Sequence, residues 1–122
     1  MPSILVIDDD SSIRIIFRRY LEKQGYVVRV ADNGHEGLRL VEVETPDLVI
    51  TDIMMPETDG LEVIMFLHRT YSSIPVIAIS GGMRSAPLDF LPMAKKFGAR
   101  KVLRKPVELH DLLAAVHELL GK

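Results

Sequence analysis

The chain has 122 residues, 48% of them hydrophobic and 26% charged, with a formal net charge of -2. That is one domain's worth of chain, long enough to bury a core and too apolar to be disordered. The charge balance gives no basic face or tail for nucleic acid, and the absence of cysteine excludes a disulfide framework, a thiolate zinc site and a cysteine nucleophile.

Five short runs rich in Ile, Val and Leu stand out in chain order: residues 3–7, 26–30, 47–51, 74–79 and 101–103. Three are nearly continuous rather than alternating, the pattern of strands buried on both faces of a parallel sheet. Amphipathic stretches separate them. Residues 11–24 carry Ile13, Ile16, Phe17, Tyr20 and Leu21 at helical spacing, with Arg14, Arg18 and Arg19 on another side and Gly25 as the C′ residue. Asp10, Ser11 or Ser12 is expected to cap this helix.

Residues 34–44 place Leu38 and Val41 inward and stop before Pro46. Residues 59–69 carry Leu61, Ile64 and Leu67. A fourth helix is expected after residue 82, capped at Ser85 or Ala86 with Pro87 in its first turn and a kink or late start at Pro92. Residues 107–120 carry a stripe of Leu109, Leu112, Leu113, Val116, Leu119 and Leu120. The expectation is a β-α unit repeated five times. It makes a flavodoxin-like (βα)5 sandwich: a parallel five-stranded sheet of order 2-1-3-4-5 with helices on both faces. Residues 1–122 are read as a single domain.

In open α/β sheets the ligand site lies beyond the C-terminal ends of the strands. Strand 1 runs into Asp8-Asp9-Asp10, strand 3 into Asp52, strand 4 into Ser80-Gly81-Gly82 and strand 5 into Arg104-Lys105-Pro106. Strand 2 runs into Ala31-Asp32-Asn33, a plain turn. In the order 2-1-3-4-5 the four notable ends are neighbours. Three carboxylates gathered in one crevice repel one another, and a hard divalent cation resolves that; Mg²⁺ suits one or two carboxylates, a backbone carbonyl, waters and a phosphate oxygen. A carboxylate beside such a cation can attack phosphorus and form an aspartyl phosphate. Lys105 then supplies a second positive charge and Ser80 a hydroxyl donor for the transferred group. Taken singly, each of these residues is better read as a cap or a turn; together at adjacent strand ends they make a site.

The combination "ILVIDDD", "DLVITDIMMPETDG", "PVIAISG" and "KVLRKP", spanning the chain, resembles the receiver (response regulator) family of two-component signalling. The resemblance implies that Asp52 is the phosphoacceptor, and that Asp8, Asp9, Asp52 and the carbonyl of Met54 hold Mg²⁺. It implies that Ser80 and Lys105 contact the phosphoryl group and that the Lys105–Pro106 bond is cis. The phosphodonor would be a phosphohistidine on a sensor histidine kinase or a histidine phosphotransfer protein. A downstream target protein would dock on the face of helix 4, strand 5 and helix 5. Apart from its own phosphorylation and dephosphorylation, such a protein is not an enzyme.

The family's switch often pairs the hydroxyl, here Ser80, with an aromatic residue three before the lysine; here that position is Val102. No linker or output domain follows the last helix, so a stand-alone receiver is expected, located in the cytoplasm. No apolar run reaches membrane-spanning length and "MPSILVIDDD" lacks a signal peptide's charged n-region, so neither a membrane nor nucleic acid is expected as a partner.

Two rivals remain at this point. A haloacid-dehalogenase-type phosphatase would put its nucleophile on Asp8, in "DDDSS". A phosphorylation-independent docking module would keep the same residues unused. The histidines at 35, 68, 110 and 117 are read as surface residues, and the arginines of the first helix as a solvated face or a docking surface for the phosphodonor.

Overall fold

The computed structural model describes residues 1–53, 60–80 and 95–121. Five strands, β1 (Ser3–Ile7), β2 (Val27–Ala31), β3 (Leu48–Asp52), β4 (Val76–Ser80) and β5 (Lys101–Arg104), form one parallel sheet of order β2-β1-β3-β4-β5. The described helices are α1 (Ser11–Lys23), α2 (Gly34–Val43), α3 (Gly60–Thr70) and a C-terminal helix (Leu109–Leu120), with residues 95–97 helical before Gly98. The expected caps at Ser85 or Ala86, the proline effects at 87 and 92 and the Gly81-Gly82 loop fall outside the described residues.

The sheet separates two apolar clusters. Along β1, Leu5 and Ile7 join α2 and α3 through Val41, Val63, Ile64 and Leu67. Ile4 and Val6 join α1 and the C-terminal helix through Phe17, Leu21, Leu112 and Val116. β1, β3 and β4 thus bury both of their faces, which is why their runs read as continuous rather than alternating, while β2 and β5 are more exposed.

Local chemistry sets the ends of the helices. Asp10 caps α1 by accepting from the Ser12 amide at 2.9 Å. Beyond Gln24, Gly25 takes φ 98°, a left-handed conformation that a glycine adopts without strain. Asn33 caps α2 by accepting from the Glu36 amide at 2.8 Å, a role that the plain-turn reading of Ala31-Asp32-Asn33 had not given it. At the sheet's edge, Arg29 of β2 donates to the carbonyls of Leu40 at 2.9 Å and Glu44 at 2.5 Å, satisfying the open C-terminal end of α2.

Strands 2, 3 and 4 each begin and end slightly later than their apolar runs. Pro75 has no amide to donate, and Ile74 turns its amide back to Tyr71, so the β4 ladder begins at Val76. The shift makes Asp52 and Ser80 the last residues of their strands rather than the first beyond them.

Candidate functional site

Asp52 ends the middle strand. Its neighbours are β1, which leads into Asp8, and β4, which ends in Ser80. Both Asp8 and Asp52 are buried, at 1% and 3% exposure, while Asp9 is exposed. Ligand oxygens from Asp8, Asp9 and Asp52 lie within 4.8 Å of one another. From the end of β5, Lys105 reaches over this group: its Nζ is 3.1 Å from Asp52 Oδ2 and 3.2 Å from Asp8 Oδ2. The chain after β5 stays in register with β4, the Lys105 amide donating to the Ser80 carbonyl at 2.9 Å. The Lys105–Pro106 peptide bond is cis.

The backbone beneath Asp52 is tightly held. The Thr51 hydroxyl donates to the Asp52 carbonyl at 3.1 Å, and the Ile53 amide donates to the Ile79 carbonyl at 2.9 Å. The first residue of α3, Gly60, returns its amide to the Ile53 carbonyl at 2.9 Å. A Cβ at position 60 would overlap the Asp52 carbonyl oxygen and the Ile53 backbone, so only glycine lets the chain come back this close beneath the acid.

Among the described residues Lys105 pairs with two of the three clustered carboxylates, and the imbalance is visible at Asp8. Its Oδ1 accepts from the Asp10 amide at 2.9 Å. Its Oδ2 is the buried side-chain polar atom, among the described residues, toward which no donor is well directed, although the Lys105 ammonium lies within ion-pairing distance. Burial pushes the Asp8 carboxyl above its ordinary range, further than the Asp10 amide and Lys105 pull it down. Burial alone would lower Lys105, but the facing charges of Asp52 and Asp8 outweigh it and hold the ammonium above its usual value. A buried, under-satisfied carboxylate oxygen within reach of two other carboxylates is what a hard divalent cation fits. The cluster can therefore hold a metal ion. Met54, whose carbonyl was expected to join it, lies outside the described residues.

A second group of possible ligands, Glu108, His110 and Asp111, lies fully in solvent at the start of the C-terminal helix and shows none of this burial.

Residues 4–117 match the family model of the response regulator receiver domain. The chain belongs to the response regulator receiver domain family. The receiver is 40% identical to the response regulator MprA of Mycolicibacterium vanbaalenii, over 98% of this chain and 50% of that protein. It is 38% identical to the response regulator MprA of Mycobacterium leprae, over 98% of this chain and 51% of that one. It thus spans about half the length of the curated relatives it matches. Among solved structures, a CheY-like receiver domain protein from Methanospirillum hungatei superposes with a TM-score of 0.91 at 31% identity, covering 99% of this chain and 94% of that one. A receiver domain protein from Clostridium thermocellum superposes at 0.89 with 34% identity, covering 99% and 95%. The family and the sheet order do not favour the haloacid-dehalogenase reading.

Membership places the chain in phosphorelay signalling. No helix among the described residues is long and apolar enough to cross a membrane. Two further residues bear on the site: Val102, which the resemblance had marked as the switch position, and Arg14, which the sequence had not tied to the acidic cluster. Val102 is half-buried against the cluster that contains Ala78 and Ala99, and Phe97 packs on that same cluster. Arg14, read as part of a solvated face, is half-buried and donates through Nη1 to the Asp8 carbonyl at 2.8 Å. Arg18 does match the solvated reading, pairing with Glu22 in water.

Proposed function

We propose that Asp52 accepts a phosphoryl group from a phosphohistidine on a sensor kinase or phosphotransfer protein, and that Asp8, Asp9 and Asp52, with the Met54 carbonyl, hold Mg²⁺ for that transfer. A carboxylate oxygen of Asp52 forms the new bond to phosphorus as the P–N bond to the donor imidazole breaks, and the departing imidazole takes up a proton. Bound there, Mg²⁺ would neutralise charge on the attacking carboxylate and the phosphoryl oxygens. Lys105, already between Asp52 and Asp8, moves onto a phosphoryl oxygen. The Ser80 hydroxyl donates to another.

The observation that carries this reading is the convergence of Lys105 Nζ on Asp52 Oδ2 and Asp8 Oδ2, beside a third carboxylate. It supplies a nucleophile, a cation site and a fixed positive charge within one crevice. Phosphorylation changes the charge at the sheet's middle strand and biases a bistable element, which alters docking of a target on the face that includes β5 and the C-terminal helix. The chemistry the chain performs is limited to its own phosphorylation and dephosphorylation.

Incubation with acetyl phosphate and Mg²⁺ tests the reading. The wild type should gain one base-labile, hydroxylamine-labile phosphoryl group, and Asp52→Asn none. Borohydride trapping with mass spectrometry should place the label on Asp52. Label on Asp8, or equal labelling of Asp52→Asn, would overturn the assignment.

A further inference from the structure

Arg14 lies one turn into α1, and its guanidinium reaches back to the end of β1, donating to the Asp8 carbonyl at 2.8 Å. The other polar groups of Asp8's backbone and side chain are committed elsewhere or aimed at the site. Its amide donates to the Ala31 carbonyl at 3.1 Å, its Oδ1 accepts from the Asp10 amide at 2.9 Å, and its Oδ2 faces Lys105 at 3.2 Å. The Asp8 carbonyl belongs to the peptide plane that Asp8 shares with Asp9. Fixing that plane fixes the last backbone torsion of Asp8 and the first of Asp9, and so the directions from which both carboxylates enter the crevice.

We infer that Arg14 is a positioning residue for the divalent-cation site: by holding the Asp8–Asp9 peptide plane, it sets the geometry in which these two carboxylates receive the ion. The inference rests on the metal-dependent reading of Asp8, Asp9 and Asp52. Arginine suits the task because its planar fork is pre-organised and stays charged. Arg18, one turn further on, is exposed and, among the described residues, bonded only to Glu22 on its own helix, and so serves as the control.

The test measures Mg²⁺ binding to the full chain by titration of amide chemical shifts, alongside melting temperature without metal. Arg14→Met should bind Mg²⁺ about tenfold more weakly, the usual effect of removing a partner that orients a ligand. Arg14→Lys, which keeps a cationic donor, should recover part of that affinity, and Arg18→Met should match the wild type. A purely structural role would lower the metal-free melting temperature but leave affinity in the folded protein unchanged. Wild-type Mg²⁺ affinity in Arg14→Met, within twofold, would overturn the inference whatever its melting temperature. If Arg14→Met does not fold, Arg14→Lys carries the comparison, and wild-type affinity there would likewise overturn it. A wild-type chain that binds no Mg²⁺ would overturn the metal-dependent reading itself, and this inference with it.

Discussion

Lys105 and Asp52 meet at 3.1 Å although they come from strands at the edge and the middle of the sheet, 53 positions apart in sequence. The contact joins Lys105 to the proposed acceptor before any phosphoryl group arrives. Lys105→Met should therefore act twice. Phosphorylation by acetyl phosphate should slow about a hundredfold, as when one pre-aligned donor is removed from a developing negative charge. The metal-free protein should also lose on the order of 1–3 kcal/mol, because two buried carboxylates lose their ion pair with Lys105. Rate measurement by mass spectrometry and urea unfolding check the two effects.

Asp8 gives the stability a pH dependence opposite to that of a salt-bridged carboxylate. Its folded-state pKa is raised, above all by burial, from an ordinary 3.8. The ionised form is thus disfavoured in the folded chain. The penalty is absent below the ordinary value, grows as pH rises toward the folded value, and is full above it. Asp8→Asn should raise the metal-free melting temperature at neutral pH by a few degrees, the shift that about 1 kcal/mol gives a domain of this size. The gain should vanish at a pH below the ordinary value. The same variant should lose most of the stabilisation that wild type gains from Mg²⁺. Melting curves with and without Mg²⁺ at both pH values decide it, and a lower melting temperature for metal-free Asp8→Asn at neutral pH would contradict it.

Gly60→Ala places a methyl group against backbone that has no side-chain freedom to give way. A destabilisation of about 3 kcal/mol is expected in urea unfolding, at the upper end of what overpacking costs. Because the displaced atoms belong to Asp52 and Ile53, acceptor reactivity should fall in whatever fraction remains folded.

Val102 has no ring to swing between inward and outward positions, and it packs at the margin of an apolar cluster. Val102→Ala should leave largely intact the chemical-shift changes that beryllofluoride and Mg²⁺ induce along β5 and the C-terminal helix. Ser80→Ala should abolish most of them. A loss in Val102→Ala as complete as in Ser80→Ala would return the switch to position 102.

Much of this is legible in the sequence. Burial on both faces made β1, β3 and β4 continuous apolar runs, and parallel strands joined by helices left few sheet orders. Asp8, Asp9, Asp52, Ser80 and Lys105 could be grouped because a parallel sheet brings its C-terminal strand ends to one edge. Other features had no signature. Arg14 bonds to a backbone carbonyl, which looks the same in every residue type, so nothing in its neighbours' identities announced the contact. Asn33 stood in what looked like an ordinary turn, and only the helix that follows makes its side chain a cap. The strand limits moved because hydrogen bonding, not hydropathy, decides where a ladder starts; Pro75 is the plain case.

The middle position of β3 carries one more consequence. Asp52 stands at the centre of five strands, with β1 and β2 on one side and β4 and β5 on the other. A protein delivering phosphate by way of the β1–α1 end and a protein listening at the β5 end would approach from opposite flanks of one carboxylate. If Asp52 is the acceptor, as proposed, writer and reader would not need to contend for the same ground.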